Sequence, residues 1–192
     1  MEKPKYPLHL QAKPTYNPAL SIKTKGVAVL VGLSIALLVS VLDQLSKILI
    51  FGYLSETAPV IEVTSFFNIV TAWNTGVSFS MFNDLGVNGV YILSSFALLV
   101  AGALIYWLKN EDKRYMQIAL GMVIGGAIGN VIDRIRLGAV FDFLDIHAFG
   151  YHWPAFNVAD SFICIGAFLI ILDGLCNKNC TKSQNFHEGI DQ

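Results

Sequence analysis

Phe156-Asn-Val-Ala-Asp-Ser-Phe-Ile-Cys-Ile-Gly-Ala-Phe-Leu-Ile-Ile-Leu-Asp-Gly-Leu175 is a nearly unbroken apolar run. About 20 such residues make a helix that crosses about 30 Å of hydrocarbon. Yet Asp160 stands at its opening. A carboxylate at the edge of hydrocarbon costs roughly 2.5–3.5 kcal/mol on insertion scales and is a functional candidate by default. Eighteen positions earlier, Asp142 in Val140-Phe-Asp-Phe-Leu follows another apolar run. Two carboxylates that can converge on one place suggest acid–base chemistry at a membrane surface.

The rest of the chain agrees with a membrane setting. Of its 192 residues, 54% are hydrophobic and 14% charged, against about 25% charged in a soluble domain. Four spans are expected, over 26–42 (with helix continuing toward Phe51), 85–108, 116–132 and 156–175. A net charge of −1 argues neither for nor against a nucleic-acid partner, but the lack of a basic stripe with interleaved aromatics argues against one. The polar stretch 1–25 does not resemble a cleavable leader.

Ten of the thirteen Lys and Arg residues fall on one side if the spans alternate. Five precede span one, Lys109, Lys113 and Arg114 join spans two and three, and Lys178 and Lys182 follow span four. The positive-inside rule puts both termini in the cytoplasm and turns 43–84 and 133–155 outward. Lys47, Arg134 and Arg136 break the bias, which gives them local work to do. The expected organisation is an arm over 1–25, a membrane domain over 26–176 and an unstructured tail over 177–192.

Within the outward segment, Val60-Ile-Glu-Val-Thr-Ser-Phe-Phe-Asn-Ile-Val-Thr-Ala-Trp73 is rich in β-branched and aromatic residues. It reads as strand, with Asn74-Thr-Gly76 as a turn and 83–86 as a loop. The expectation is a small sheet lying on the bilayer. Trp73, Phe79, Phe82, Tyr151 and Trp153 would form its aromatic belt.

Several constellations carry polar chemistry. Gly121, Gly125 and Gly129 share one helical face and permit close packing. Asn130 reaches toward Asp133 and Arg134 at i+3 and i+4. Asp43 and Lys47 form an i,i+4 pair in the favoured order, which reads as a salt bridge. Asn157 and Asp160 share a face three residues apart, and Pro154 suits a first helical turn, which sets Asp160 roughly 10 Å along the helix. Glu56, Glu62, Asp84 and Asp145 read as solvated charges.

Metal and nucleophile chemistry find less support. Cys176 and Cys180 lack further ligands at zinc-ligand spacing, and His147 and His152 lack the intervening Glu of a zinc protease. Ser78, Ser80 and Ser161 have no evident base. From these residues alone Asp133 rivals Asp142 as a catalytic acid. A proton or cation pathway and a non-catalytic scaffold also stay open.

Five motifs in order narrow the choice. They are Asp43-Gln-Leu-Ser-Lys47, Asn74-Thr-Gly-Val-Ser-Phe-Ser80, Gly125-Gly-Ala-Ile-Gly-Asn-Val-Ile-Asp-Arg134, Val140-Phe-Asp-Phe143 and Phe156-Asn-Val-Ala-Asp160. The chain resembles bacterial lipoprotein signal peptidase (signal peptidase II) over about residues 26 to 176. The resemblance implies an all-α membrane protein with four transmembrane helices, a small periplasmic β-cradle and a short periplasmic helix. It implies an aspartic endopeptidase of the inner membrane, acting at its periplasmic face on diacylglyceryl-modified prolipoproteins, with no metal or other cofactor. By motif match the catalytic pair falls on Asp142 and Asp160. Support falls on Asp43, Lys47, Asn74, Asn130, Asp133, Arg134 and Asn157. The substrate's signal helix would pack near the glycine face while its acyl chains lie in lipid. A monomer among membrane lipids is expected.

Overall fold

The computed structural model describes residues 18–56, 59–76 and 86–188, with side-chain surroundings for 29–54, 59–76 and 88–176. Four helices carry the architecture: α1 (Pro18–Glu56), α2 (Gly86–Leu108), α3 (Arg114–Leu137) and α4 (Val158–Glu188). Each contains a stretch long and apolar enough to cross a membrane: Val29–Leu54, Asn88–Leu108, Arg114–Leu137 and Val158–Cys176. Large side chains such as Leu37, Leu49, Leu99, Phe96 and Phe168 face outward from α1, α2 and α4. In water such a surface would be untenable; against lipid it is the expected exterior.

The helix α3, the least apolar of the four spans, is the central one. Its buried side includes Met116, Ala119, Leu120 and Ile124, which pack with Ala36 and Leu108. The glycine spacing works here by removing side chains. A Cβ on Gly125 would meet the backbone of Ala36, and one on Gly129 would lie 2.6 Å from Asp43 Oδ2. The glycine face is therefore filled by α1, which leaves no room for another helix directly on it.

Helix α3 stops at Gly138, whose φ of 75° suits a left-handed cap, with its N–H bonded to Arg134 O at 3.0 Å. The chain then enters a four-stranded antiparallel sheet in sequence order: β1 (Val60–Thr64), β2 (Phe67–Asn74), β3 (Val140–Ala148) and β4 (Tyr151–His152). The first two strands realise the single β-rich stretch read from sequence, folded back at Ser65 and Phe66. The third and fourth go beyond the sequence reading. In β3 the alternation puts Phe141 and Phe143 into a cluster with Leu54, leaving Asp142 on the opposite face. A two-residue turn at Phe149 and Gly150, both at positive φ, joins β3 to β4.

Other boundaries differ from expectation. Helix begins at Pro18, inside the supposed arm, and α4 stays helical to Glu188, where an unstructured tail is expected from Asn177. Pro154 precedes α4 rather than opening it, so Asp160 lies in the first turn and not deeper along the helix. Asp145 is buried, not solvated. The short periplasmic helix has no counterpart among the described residues. Ser78, Phe79, Ser80, Phe82, Asp84 and the expected 83–86 loop fall on 77–86, of which only Gly86 is described, as the start of α2.

Candidate active site

Where α4 begins, its N-terminus has unpaired backbone N–H groups. Asn157 Oδ1 accepts from Asp160 N at 3.0 Å, and Asp160 Oδ2 accepts from Asn157 N at 3.2 Å. This reciprocal arrangement is a capping box with Asp in the acid position. Asp43 reaches across from α1 and accepts from Ala159 N at 2.9 Å. The spacing of Asn157 and Asp160 thus has a local structural cause, and the same cause aims Asp160 at the sheet.

Asp142 is brought there by register. Ala72 pairs with Asp142, Trp73 with Phe141 and Asn74 with Val140 across β2 and β3. Asn74 is therefore the diagonal neighbour of Asp142 on one face and donates to its Oδ2 at 3.1 Å. On the other face Trp73, Phe141 and Phe51 pack together with centroids 5.3–5.8 Å apart. Asn157 Nδ2 donates to Asp142 Oδ1 at 2.7 Å. Asn157 thereby touches both carboxyl groups.

Asn130 completes the frame. It donates to Asp160 Oδ1 at 2.8 Å, and its Oδ1 accepts from Lys47 at 3.2 Å and from Asn157 Nδ2 at 3.2 Å. Its expected reach toward Asp133 and Arg134 is replaced by these partners from α1 and α4. Lys47 lies 2.8 Å from both Asp43 Oδ2 and Asp133 Oδ2. Buried charges are tolerable only when paired and hydrogen-bonded. Asp133 meets that condition: it also accepts from Gln44 at 2.8 Å and from Phe141 N at 3.2 Å. Its oxygens are committed to holding the strand that carries Asp142. Arg134 closes no ion pair with Asp160; it donates to Gly76 O at 3.4 Å.

The two candidate carboxyl groups differ from Asp133 in opening onto space. A groove of about 350 Å³ is lined by Asn74, Asp142, Asp160 and the segment from Trp153 to Phe156. A second, of about 390 Å³, runs between α2, α3 and α4 past Phe96, Val100, Ala127 and Asn130, and also reaches Asp160. Burial, and next the negative charge of Asp160, push the Asp142 carboxyl up to about 7, against the hydrogen bonds from Asn74 and Asn157 and the charge of Lys47. An acid poised near neutrality beside a second carboxylate is equipped for proton transfer. Among the described residues, no group of three or more His, Cys, Asp or Glu is placed to hold a metal ion.

Residues 35–176 match the family model described as signal peptidase (SPase) II. The chain belongs to the signal peptidase II family. It is 46% identical over 142 residues to a lipoprotein signal peptidase of Aeromonas hydrophila, covering 73% of this chain and 85% of the relative. It is 41% identical over 172 residues to one of Vibrio cholerae, covering 88% and 99%. A solved structure described as a bacterial membrane enzyme, determined in meso at 2.3 Å, superposes with a TM-score of 0.66 at 31% identity, covering 80% of this chain and 90% of that one. As a signal peptidase II family member, the chain is a multi-pass membrane protein and an aspartic peptidase.

All nine sequence-derived site residues lie in one region, at one end of the helices. Sequence reasoning misses two working residues. Gln44 ties α1 to Asp133, and Ser40 donates to Gly125 O at 2.8 Å. Gln44 sits beside Asp43 within a quoted motif; its signal is a polar side chain inside the apolar stretch of α1.

Proposed function

We propose that this chain is the endopeptidase that removes signal peptides from diacylglyceryl-modified prolipoproteins, cutting before the lipidated cysteine, with Asp142 and Asp160 as the water-activating pair. The observation that carries this reading is the bridging of both carboxyl groups by Asn157 beneath a shared groove. Like charges held this close do not both ionise easily, so the pair retains one proton near neutrality. The ionised member takes a proton from water, which attacks the scissile carbonyl. The protonated member gives its proton to the carbonyl oxygen. The proton taken from water then passes from its partner to the amine nitrogen, while the first member takes back a hydroxyl proton of the tetrahedral intermediate and the C–N bond breaks. Such acid–base help is typically worth about 10²–10⁴-fold in rate. No step requires a metal or cofactor.

Asp43, Lys47, Asn74, Asn130, Asp133, Arg134 and Asn157 act in support, holding the carboxyl groups and the ends of α1, α3 and α4. The groove between α2 and α4 would receive the signal helix, since the glycine face is occupied by α1. The charge bias supports cytoplasmic termini and a periplasmic site in the inner membrane. Every residue used comes from one chain, so a monomer suffices.

The test is cleavage of a lipidated preprolipoprotein by purified wild type, Asp142→Asn and Asp160→Asn, with an unlipidated control. Wild type should release product beginning at the lipidated cysteine, and both variants should fold without cleaving. Normal turnover in either variant would sink the assignment.

A further inference from the structure

A second polar cluster lies on the sheet, apart from the aspartate pair. Asp145 on β3 is buried; it accepts from Asn68 Nδ2 on β2 at 2.9 Å and contacts His152 Nδ1 on β4 at 2.9 Å through both oxygens. Burial alone would raise the Asp145 carboxyl, but the hydrogen bonds from His152 and Asn68 outweigh it and hold the group below its ordinary value. His147 stacks on His152 with centroids 4.8 Å apart, which fixes the plane of the ring. Glu62, the cross-strand partner of Asn68, is the remaining charge in this row and is exposed. The cluster joins three strands, and no step above uses it.

Its position gives it a use. His152 directly precedes Trp153-Pro154-Ala155-Phe156, one wall of the groove that holds Asp142 and Asp160. Backbone bonds fasten this wall at its ends, from Trp153 N to Ile146 O at 2.8 Å and from Phe156 N to Leu144 O at 3.1 Å. Pro154 has no N–H to give. The outer end hangs on β4, a strand of two residues. So short a ladder is weak by itself.

We propose that Asn68, Asp145 and His152 form a positioning clamp that sets the Trp153–Phe156 wall against the bound peptide. This rests on the reading given under Proposed function. The clamp touches no reacting atom, so its loss should weaken substrate binding and leave the chemical step largely alone.

The experiment measures kcat and KM for the lipidated preprolipoprotein with the purified full chain. His152→Ala and Asp145→Ala should each raise KM roughly 3–10-fold, the scale of one hydrogen bond, with kcat within about twofold of wild type. The double variant should be no worse than either single one, because the two side chains act as a unit. His152→Gln, which keeps a donor, should recover KM. An unchanged KM with a lowered melting temperature would make the cluster merely structural and overturn the proposal. So would additive losses in the double variant, or no recovery with Gln. Should the Ala variants fail to fold, Asp145→Asn keeps the shape, removes the charge and carries the same comparison. A wild type that leaves the lipidated substrate uncut overturns the functional reading itself; an active wild type with unaffected variants overturns only the clamp.

Discussion

The side-chain amide of Asn157 donates to the Asp142 carboxyl at 2.7 Å while its backbone N–H meets Asp160 at 3.2 Å. One residue therefore sets the spacing of the pair and caps the helix that carries half of it. Asn157→Ala should cost about 1–3 kcal/mol in stability, since a cap is lost and a buried carboxyl loses a donor. Turnover should fall by more than the fraction of protein unfolded. Thermal unfolding in detergent, run beside kcat, checks this. A variant that loses stability with unchanged kcat would show that Asn157 serves the helix alone.

The second expectation concerns pH. The Asp142 carboxyl is raised from 3.8 to about 7, first by burial and then by Asp160. With the folded value above the unfolded one, the folded state binds more protons between those limits. The contribution to stability is therefore fully present below about 4 and is lost as pH rises through about 7, to at most about 4 kcal/mol. On the proposed mechanism the pair gives up its proton over the same range, so kcat should fall on an alkaline limb near pH 7. Asn74→Ala removes a hydrogen bond that lowers this value and should move the limb to higher pH. A limb that moves down, or stays, contradicts the role given to Asp142.

How much of this is legible in the sequence depends on the range of the interaction. Span positions are readable because hydropathy is local, and the Asp43–Lys47 pair because one helical turn spans it. The capping box of Asn157 and Asp160 is only half readable. Their shared face is evident, but the start of α4 is not, because Pro154 suits a first turn equally well. Strand β3 escapes because Val140–Ala148 has meaning only when paired with β2, on the far side of two spans. Asp145 looks solvated for the same reason, since its partners Asn68 and His152 belong to other strands. The rivalry of Asp133 and Asp142 turns on whose oxygens are already committed, which only the folded arrangement displays.

Lys47 is the one cation bonded to both Asp43 and Asp133 among the described residues. Lys47→Met should destabilise the protein by about 3–5 kcal/mol, because it strands two buried carboxylates. Adding Asp133→Asn should recover part of that loss while activity stays low, since Asn keeps only one of the two oxygens that accept from Gln44 and from Phe141 N. Melting temperatures of the single and double variants test the coupling. Equal stability for Lys47→Met and wild type would mean the two aspartates find other partners.

The glycines of α3 give a prediction with its own control. A methyl at Gly129 would lie 2.6 Å from Asp43 Oδ2, and at Gly125 it would meet the Ala36 backbone, with Cα at 2.8 Å. Neither neighbour can swing away, because one is main chain and the other is bonded to Lys47 and Ala159 N. Each Ala substitution should cost about 1–3 kcal/mol as overpacking. Gly129→Ala should in addition lower kcat, since the Asp43 it displaces helps fasten the first turn of α4, where Asp160 sits. At Gly102 a methyl meets nothing within 4 Å. There Ala should be neutral or stabilise by up to about 1 kcal/mol through helix propensity. The contrast is read by thermal unfolding of the three variants in one detergent. If Gly102→Ala and Gly129→Ala behave alike, α1 and α3 do not approach as closely as described, and the support for Asp160 from α1 fails with them.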